Sequence, residues 1–251
     1  MNILNESRQQ EAVELLTRAF TQRLLYNVNN VGSYIIKPYQ DKLLSVVIPE
    51  NLSLMVTEKK TNKIVCVVIS HDSETTIDLK GLPTNSYRDS IKSISKKLWD
   101  TFEMKKKTII GTTTKIVDFD LMATADGYEG KGLIIWTIRS TIERCKQKGY
   151  EIAVCETSSP ITRHIMLNKI QGTQIACETD IVKNISPSEY SKIQRPKTRF
   201  EHYMIIADTI RSFANWNFRE VSPGPAYRTR DELIEWIRGN ATSGFHYIGT
   251  C

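Results

Sequence analysis

"KIVDFDLMATADGYEGKGLIIWTIRSTIERCKQKGYEIAVCET", residues Lys115 to Thr157, decides the fold. Its first nine residues, Lys115 to Ala123, are apolar and β-branched with alternation, so a strand is expected with Val117, Phe119 and Leu121 on one face and Asp118 and Asp120 on the other. The strand runs into "TADGYEGKG", a turn that carries Gly127, Gly130 and Gly132. Ile134, Ile138, Ile142 and Cys145 then form an apolar stripe at helical spacing, followed by a lysine-rich last turn and Gly149 at the C-terminal cap position. "YEIAVCET", Tyr150 to Thr157, reads as a buried strand. "SPITRHIMLNKIQG" is a short helix with Pro160 in its first turn, and Thr173 to Glu178 and Phe200 to Ile206 are two more strand-like runs.

Working back toward the N-terminus, Ser7 to Leu25 has Ala12, Val13, Leu15, Leu16, Ala19 and Phe20 near helical spacing behind Asn5 and Ser7 as caps. Leu52 to Glu58 and Lys63 to His71 flank a polar "KKTN" turn and make a hairpin. "YRDSIKSISKKLWDTF" places Ile91, Ile94, Leu98 and Phe102 on one side of an amphipathic helix. The order of elements implies an α/β (α+β) domain with a mixed central sheet flanked by helices.

The glycine turn has a chemical use. A strand that turns into a helix through glycines exposes backbone N–H groups at the positive end of the helix dipole, where phosphate oxygens bind. No Ser or Thr follows a Gly-Lys pair, and Gly-Tyr-Glu-Gly-Lys-Gly is not the glycine pattern of the dinucleotide fingerprint, so neither a P-loop nor a Rossmann turn is expected. Asp118 and Asp120, about 7 Å apart on one strand face, are candidate proton acceptors together with Glu156, because like-charge proximity raises a carboxyl pKa. The plainer reading is that they face solvent or pair with lysines. His71, His164 and His202 are unclustered in sequence and read as core or surface histidines.

In the order of these elements the chain resembles the Gcn5-related N-acetyltransferases (GNAT). That family's Tyr-Arg-Gly-Lys-Gly-Ile-Gly corresponds to "YEGKGLI", Tyr128 to Ile134, and its later motifs to "YEIAVCETSS" and "HIMLNKIQG". The resemblance spans about residues 1–206 and is most specific from Asp118 to Gly172. It implies acetyl-CoA as co-substrate, its pyrophosphate on the backbone of Glu129, Gly130, Lys131, Gly132, Leu133 and Ile134, and its pantetheine amides along Leu121, Met122 and Ala123. It also implies a thioester lying where the two parallel strands splay apart, and an amine acceptor, small molecule or protein, stripped of its proton by a carboxylate or an ordered water. Three residues depart from the pattern: Glu129 for Arg or Gln, Ile134 for a small residue, and Asn168 for the tyrosine that serves as acid. They keep open a second reading, a catalytically impaired acyl-CoA-binding module. The acceptor-facing loops, roughly Val28 to Ser45 and Ile185 to Arg199, carry no specificity feature.

From Ser222 the text "SPGPAYRTRDELIEWIRGNATSGFHYIGTC" resembles the C-terminal region of glucose-methanol-choline oxidoreductases, with His246 at the catalytic histidine and Tyr247 in place of the usual proline. Nothing in residues 1–60 supplies a flavin-binding Rossmann turn, and the second catalytic His or Asn is missing. Residues 207–251 are therefore expected to be a truncated segment, mostly helical or irregular, and no FAD is expected. A third reading makes the chain a fragment of such an oxidoreductase, inactive alone.

Composition bounds the rest. Of 251 residues, 40% are hydrophobic and 25% charged, the balance of a globular protein that buries a full core. Five cysteines, Cys66, Cys145, Cys155, Cys177 and Cys251, lie at wide spacings without a CxxC pair, so core thiols are expected rather than disulfides, and no metal site. The net charge of +6 suits nucleic acid, an anionic membrane face or a phosphorylated small ligand alike, and because the lysine clusters lack interleaved aromatic residues no nucleic acid is expected. No apolar run reaches the ~20 residues of a membrane span and the start lacks a signal-peptide pattern, so the expectation is no membrane and a cytoplasmic or nuclear location. The sequence is silent on oligomeric state.

Overall fold

The computed structural model describes residues 1–22, 30–110, 115–177 and 204–209. Among these residues seven strands form one sheet in the order β1-β2-β3-β4-β5-β7-β6. They are β1 Asn2–Ile3, β2 Leu54–Thr57, β3 Ile64–Asp72, β4 Ile116–Thr124, β5 Ile152–Thr157, β6 Thr173–Cys177 and β7 Met204–Thr209. Every pairing is antiparallel except β4 with β5. That parallel pair needs a crossover, and α4, Leu133–Gln147, supplies it.

Helices cover both faces. On one lie α1 Gln9–Thr21, α2 Ser33–Val47 and α3 Ser86–Ile110. Leu16, Ile35, Leu44, Leu98 and Phe102 from these helices pack with Val67, Ile69, Leu121 and Val154 of the sheet. On the other, Ile138, Ile142 and Cys145 of α4 pack with Val68, Val117, Phe119 and Ala153. Burying each large aliphatic or aromatic side chain contributes about 1.5–3 kcal/mol, so both layers are held by the stripes that the sequence displays. After β5, α5 (Pro160–His164) continues into a π-helical turn, Ile165–Lys169, where the sequence reads one short helix.

Three expectations change. Val28 to Ser45 is not a loop through its later part: α2 occupies Ser33–Val47 with Pro38 inside it, and buries Ile35, Ile36, Leu43, Leu44 and Val47. The amphipathic helix read to Phe102 continues to Ile110. The third concerns β4, whose alternation breaks. Ile69 pairs with Leu121 and Ser70 with Phe119, so Asp120 is an extra residue without an opposite number. Leu121 therefore leaves the face of Val117 and Phe119 and packs on the α1–α3 side. Asp118 stays opposite His71 on that same side.

Cys66, Cys145 and Cys155 are free and buried, as core thiols should be. Among the described residues there is no cluster of metal-binding side chains and no helix long and apolar enough to cross a membrane. His202, His246 and the segment from 210 to 251, with its oxidoreductase-like motif, lie outside the described residues, as does Ile185 to Arg199.

Candidate functional site

Among the described residues the sheet opens between β4 and β5. Parallel pairing of β4 with β5 consists of Ile116 with Ile152, Val117 with Ala153 and Asp118 with Val154. Beyond these, β4 runs on to Thr124 and β5 to Thr157 without meeting, while β5 stays paired to β7 as far as Thr157 opposite Met204. The bulge at Asp120 accounts for the split: an inserted residue bends its strand and sharpens the local twist. The edge of β4 across Leu121, Met122 and Ala123 is thus free of a strand on the β5 side.

The glycine loop stands at the end of that free edge. Gly127, Gly130 and Gly132 all adopt positive φ, from 69° to 80°, a left-handed conformation that other residues avoid. The loop is pinned from behind: Ala125 N–H donates to the Val65 carbonyl (2.8 Å), and the Tyr128 hydroxyl donates to Glu58 on the β2–β3 turn. In front, the backbone N–H groups from Glu129 to Ile135 meet no acceptor among the described residues. They crown the N-terminus of α4, where unsatisfied donors and the helix dipole favour an anion.

The two departures in this loop have local explanations. The Glu129 carboxylate folds back to accept from Gly127 N–H (2.7 Å), so it occupies the near side of the turn. Ile134 packs inward against both the α4 core and the small cluster of Val56, Val65 and Cys66. Lys131 Nζ donates to the Gly127 carbonyl (2.8 Å) and lies 4.6 Å from the centre of the Tyr128 ring, placing a cation on the loop.

On the α1–α3 side of the fork the structure brings together a second group. Asp118 and Asp120 of β4 lie 3.9 and 3.6 Å from Nε2 of His71 on β3. The Tyr39 hydroxyl of α2 donates to Asp120 (3.3 Å), and the Ser95 hydroxyl of α3 donates to Glu156 of β5. Solvent and lysine partners, the plainer reading of the aspartates, do not describe this arrangement. His71, only 6% exposed, is not an isolated core histidine. Its Nδ1 bonds the Asp72 carbonyl (2.9 Å), while Nε2 is buried without a hydrogen-bond partner and points at the two carboxylates.

Burial and crowding set the proton affinities. Desolvation is the largest influence on Asp118 and lifts it to about 7, opposed by His71 and assisted by Asp120 and Glu156. Glu156 is likewise lifted to about 7 by desolvation, with the Ser95 bond opposing and Asp120 assisting. Desolvation works against the His71 cation, but the neighbouring aspartates outweigh it and raise the ring to about 9. Two carboxyls titrating near neutrality beside an imidazolium can accept a proton at physiological pH. Asn168, in the tyrosine position, is exposed on the π turn with its amide 3.2 Å from His164 Nδ1.

Sequence reasoning named the three carboxylates but missed His71, Tyr39 and Ser95. Their meeting depends on strand register and on two helices distant in sequence, and only the pairing of His71 with Asp118 across a hairpin-like neighbour could have been guessed.

No protein-family model matches the chain, and no curated protein matches it. Solved structures do. Arylalkylamine N-acetyltransferase 7 of the yellow fever mosquito Aedes aegypti aligns with a TM-score of 0.65 at 12% identity over 82% of this chain and 85% of its own. Arylalkylamine N-acetyltransferase 2 of the same mosquito gives 0.61 at 14% over 83% and 97%. The C-terminal condensation domain of Ebony, solved with β-alanyl-dopamine, gives 0.63 at 11% over 82% and 96%. At such identities the likeness establishes architecture: the fold is that of the GNAT acyltransferases.

Proposed function

We propose that the chain is an acetyl-CoA-dependent N-acetyltransferase acting on an amine. One observation carries the reading: β4 and β5 part after Asp118 and Val154, and the opening lies beside backbone amides that no protein group engages among the described residues. In this reading the amides from Glu129 to Ile134 take the pyrophosphate of acetyl-CoA. The free edge at Leu121, Met122 and Ala123 pairs with the pantetheine amides, a small-molecule form of strand addition. Asp118, Asp120 and Glu156 are the groups able to take the acceptor's proton. The likeness in fold to arylalkylamine N-acetyltransferases supports a small-molecule amine over a protein as the acceptor.

A second reading, acyl-CoA binding without turnover, draws on Asn168, whose amide cannot protonate a departing thiolate as a phenol does. Titration calorimetry with acetyl-CoA tests the first step of both. Saturable binding that Gly132→Val weakens at least tenfold is expected, because a β-branched residue is strained at the positive φ of Gly132 and turns the amide row. No heat at millimolar acetyl-CoA removes both readings. Binding without product across a panel of arylalkylamines and diamines selects the second.

A further inference from the structure

We propose that Glu156 is the carboxylate that takes the proton from the acceptor amine, and that His71 is a positioning residue whose positive ring offsets the Asp118–Asp120 pair. This rests on the acetyltransferase reading for its chemistry, though the charge arrangement stands without it. Asp118 belongs to the last rung of β4–β5 pairing, whereas Glu156 lies two residues beyond it on β5, past the point where the strands separate. Asp118 and Asp120 both lie within 4 Å of His71 Nε2, and among the described residues no ion pair joins His71 to Glu156. Ser95 donates to one Glu156 oxygen, so the carboxylate is held by a neutral donor, unlike Asp118 and Asp120 beside the imidazole. Nε2 of His71 is deeply buried, lacks a hydrogen-bond acceptor and is aimed into the same cluster, a donor that polar company would satisfy.

The groups facing Glu156 are Ser95 from α3, Asp118 and Asp120 from β4, with His71 from β3 and Tyr39 from α2 acting on the aspartates, and Cys155 beside it on β5. Without His71 the Asp120 carboxylate would stand uncompensated near Glu156, and Glu156 would hold its proton to higher pH. In the reaction, an acceptor ammonium gives one proton to the Glu156 carboxylate. Its neutral nitrogen then bonds the acetyl carbonyl carbon, the C–S bond breaks, and the electron pair leaves on sulfur. The nitrogen's second proton balances the thiolate, and the proton on Glu156 returns to solvent.

The test reads the free protein first. With carbon-13 NMR of side-chain carboxyls and nitrogen-15 NMR of the imidazole, Glu156 should titrate near 7 and His71 should stay doubly protonated past pH 8. His71→Gln should raise the Glu156 midpoint by about one unit, a tenfold change in proton affinity, and adding Asp120→Asn should bring it back. A role in packing alone would not be repaired by the second change. A His71 ring that loses its proton near 6.5, or a Glu156 midpoint indifferent to both variants, overturns the proposal. Where wild type turns over, Glu156→Gln should lower kcat by about 100-fold with little change in KM, and the acid limb of the pH profile should follow the NMR midpoint through the variant series. Glu156→Gln within threefold of wild type, with its fold confirmed by melting, overturns the assignment of the proton acceptor. Failure of acetyl-CoA to bind would instead sink the transferase reading and leave the titrations legible.

Discussion

The glycine loop and the carboxylate cluster sit at the same fork but are built in opposite ways. The loop presents main-chain groups, and its shape follows from three positive-φ glycines and one tyrosine pinned to a neighbouring hairpin. The cluster presents side chains from β3, β4, β5, α2 and α3, and holds together only if one strand carries an extra residue. A locally encoded feature tolerates change elsewhere in the chain. A feature assembled from five elements fails when register fails.

Deleting Asp120 should separate the two most sharply. Removal of the extra residue restores regular alternation and leaves Leu121 opposite Ile69 and Ala123 opposite Val67 on the α1–α3 side, while β4 loses the bend that parts it from β5 and the cluster loses one carboxylate. A cooperative melt by circular dichroism together with acetyl-CoA binding weakened by about tenfold or more in calorimetry is expected, because an unbent β4 closes the edge at Leu121 to Ala123. Unchanged acetyl-CoA binding in the deletion variant would mean that the bulge does not hold the strands apart.

The pH dependence of stability comes next in size. A raised folded-state pKa means that the stabilisation is complete below the unfolded value and disappears as pH climbs through the folded one. For Glu156 and Asp118 the window runs from their ordinary values of 4.5 and 3.8 up to about 7, and for His71 from 6.5 to about 9. Wild type should therefore lose on the order of 2 kcal/mol between pH 6.5 and 9 through His71, and His71→Gln should flatten that limb. Denaturant melts across the range check it, and parallel limbs in the two proteins would show that the ring titrates as in water.

The smallest effect belongs to the loop. Glu129→Gln keeps an acceptor for Gly127 N–H while removing a charge from the neighbourhood of the amides. Acetyl-CoA should bind about two- to threefold more tightly, within the range of an exposed charge, measured by calorimetry. Weaker binding by tenfold or more would mean that the carboxylate shapes the turn rather than merely repelling phosphate.

The same contrast governs how much of the molecule is legible in its sequence. The strand, glycine turn, helix and strand from Lys115 to Thr157 are legible because each is encoded by neighbours along the chain. The helix Ser33–Val47 is not, since Pro38 breaks the local pattern and its apolar residues come in separated pairs, Ile35–Ile36 and Leu43–Leu44. Tertiary burial outweighs the proline there. The alternation of β4 misleads at Leu121 because a bulge leaves no mark in composition, only in what stands opposite. Asp118, Asp120 and Glu156 can be named as carboxylates on strands, whereas the imidazole between two of them comes from a partner 47 positions away in the pair His71–Asp118.

The strand order has a further consequence during synthesis. β6 has no place in the sheet until β7 arrives, because β7, Met204–Thr209, sits between β5 and β6. A nascent chain that has released everything through residue 177 can zip β1 to β5, yet it shows the ribosome-side world a bare hydrogen-bonding margin along β5. Emergence of six late residues seals that margin, so premature termination anywhere before Thr209 yields a polypeptide with a sticky flank.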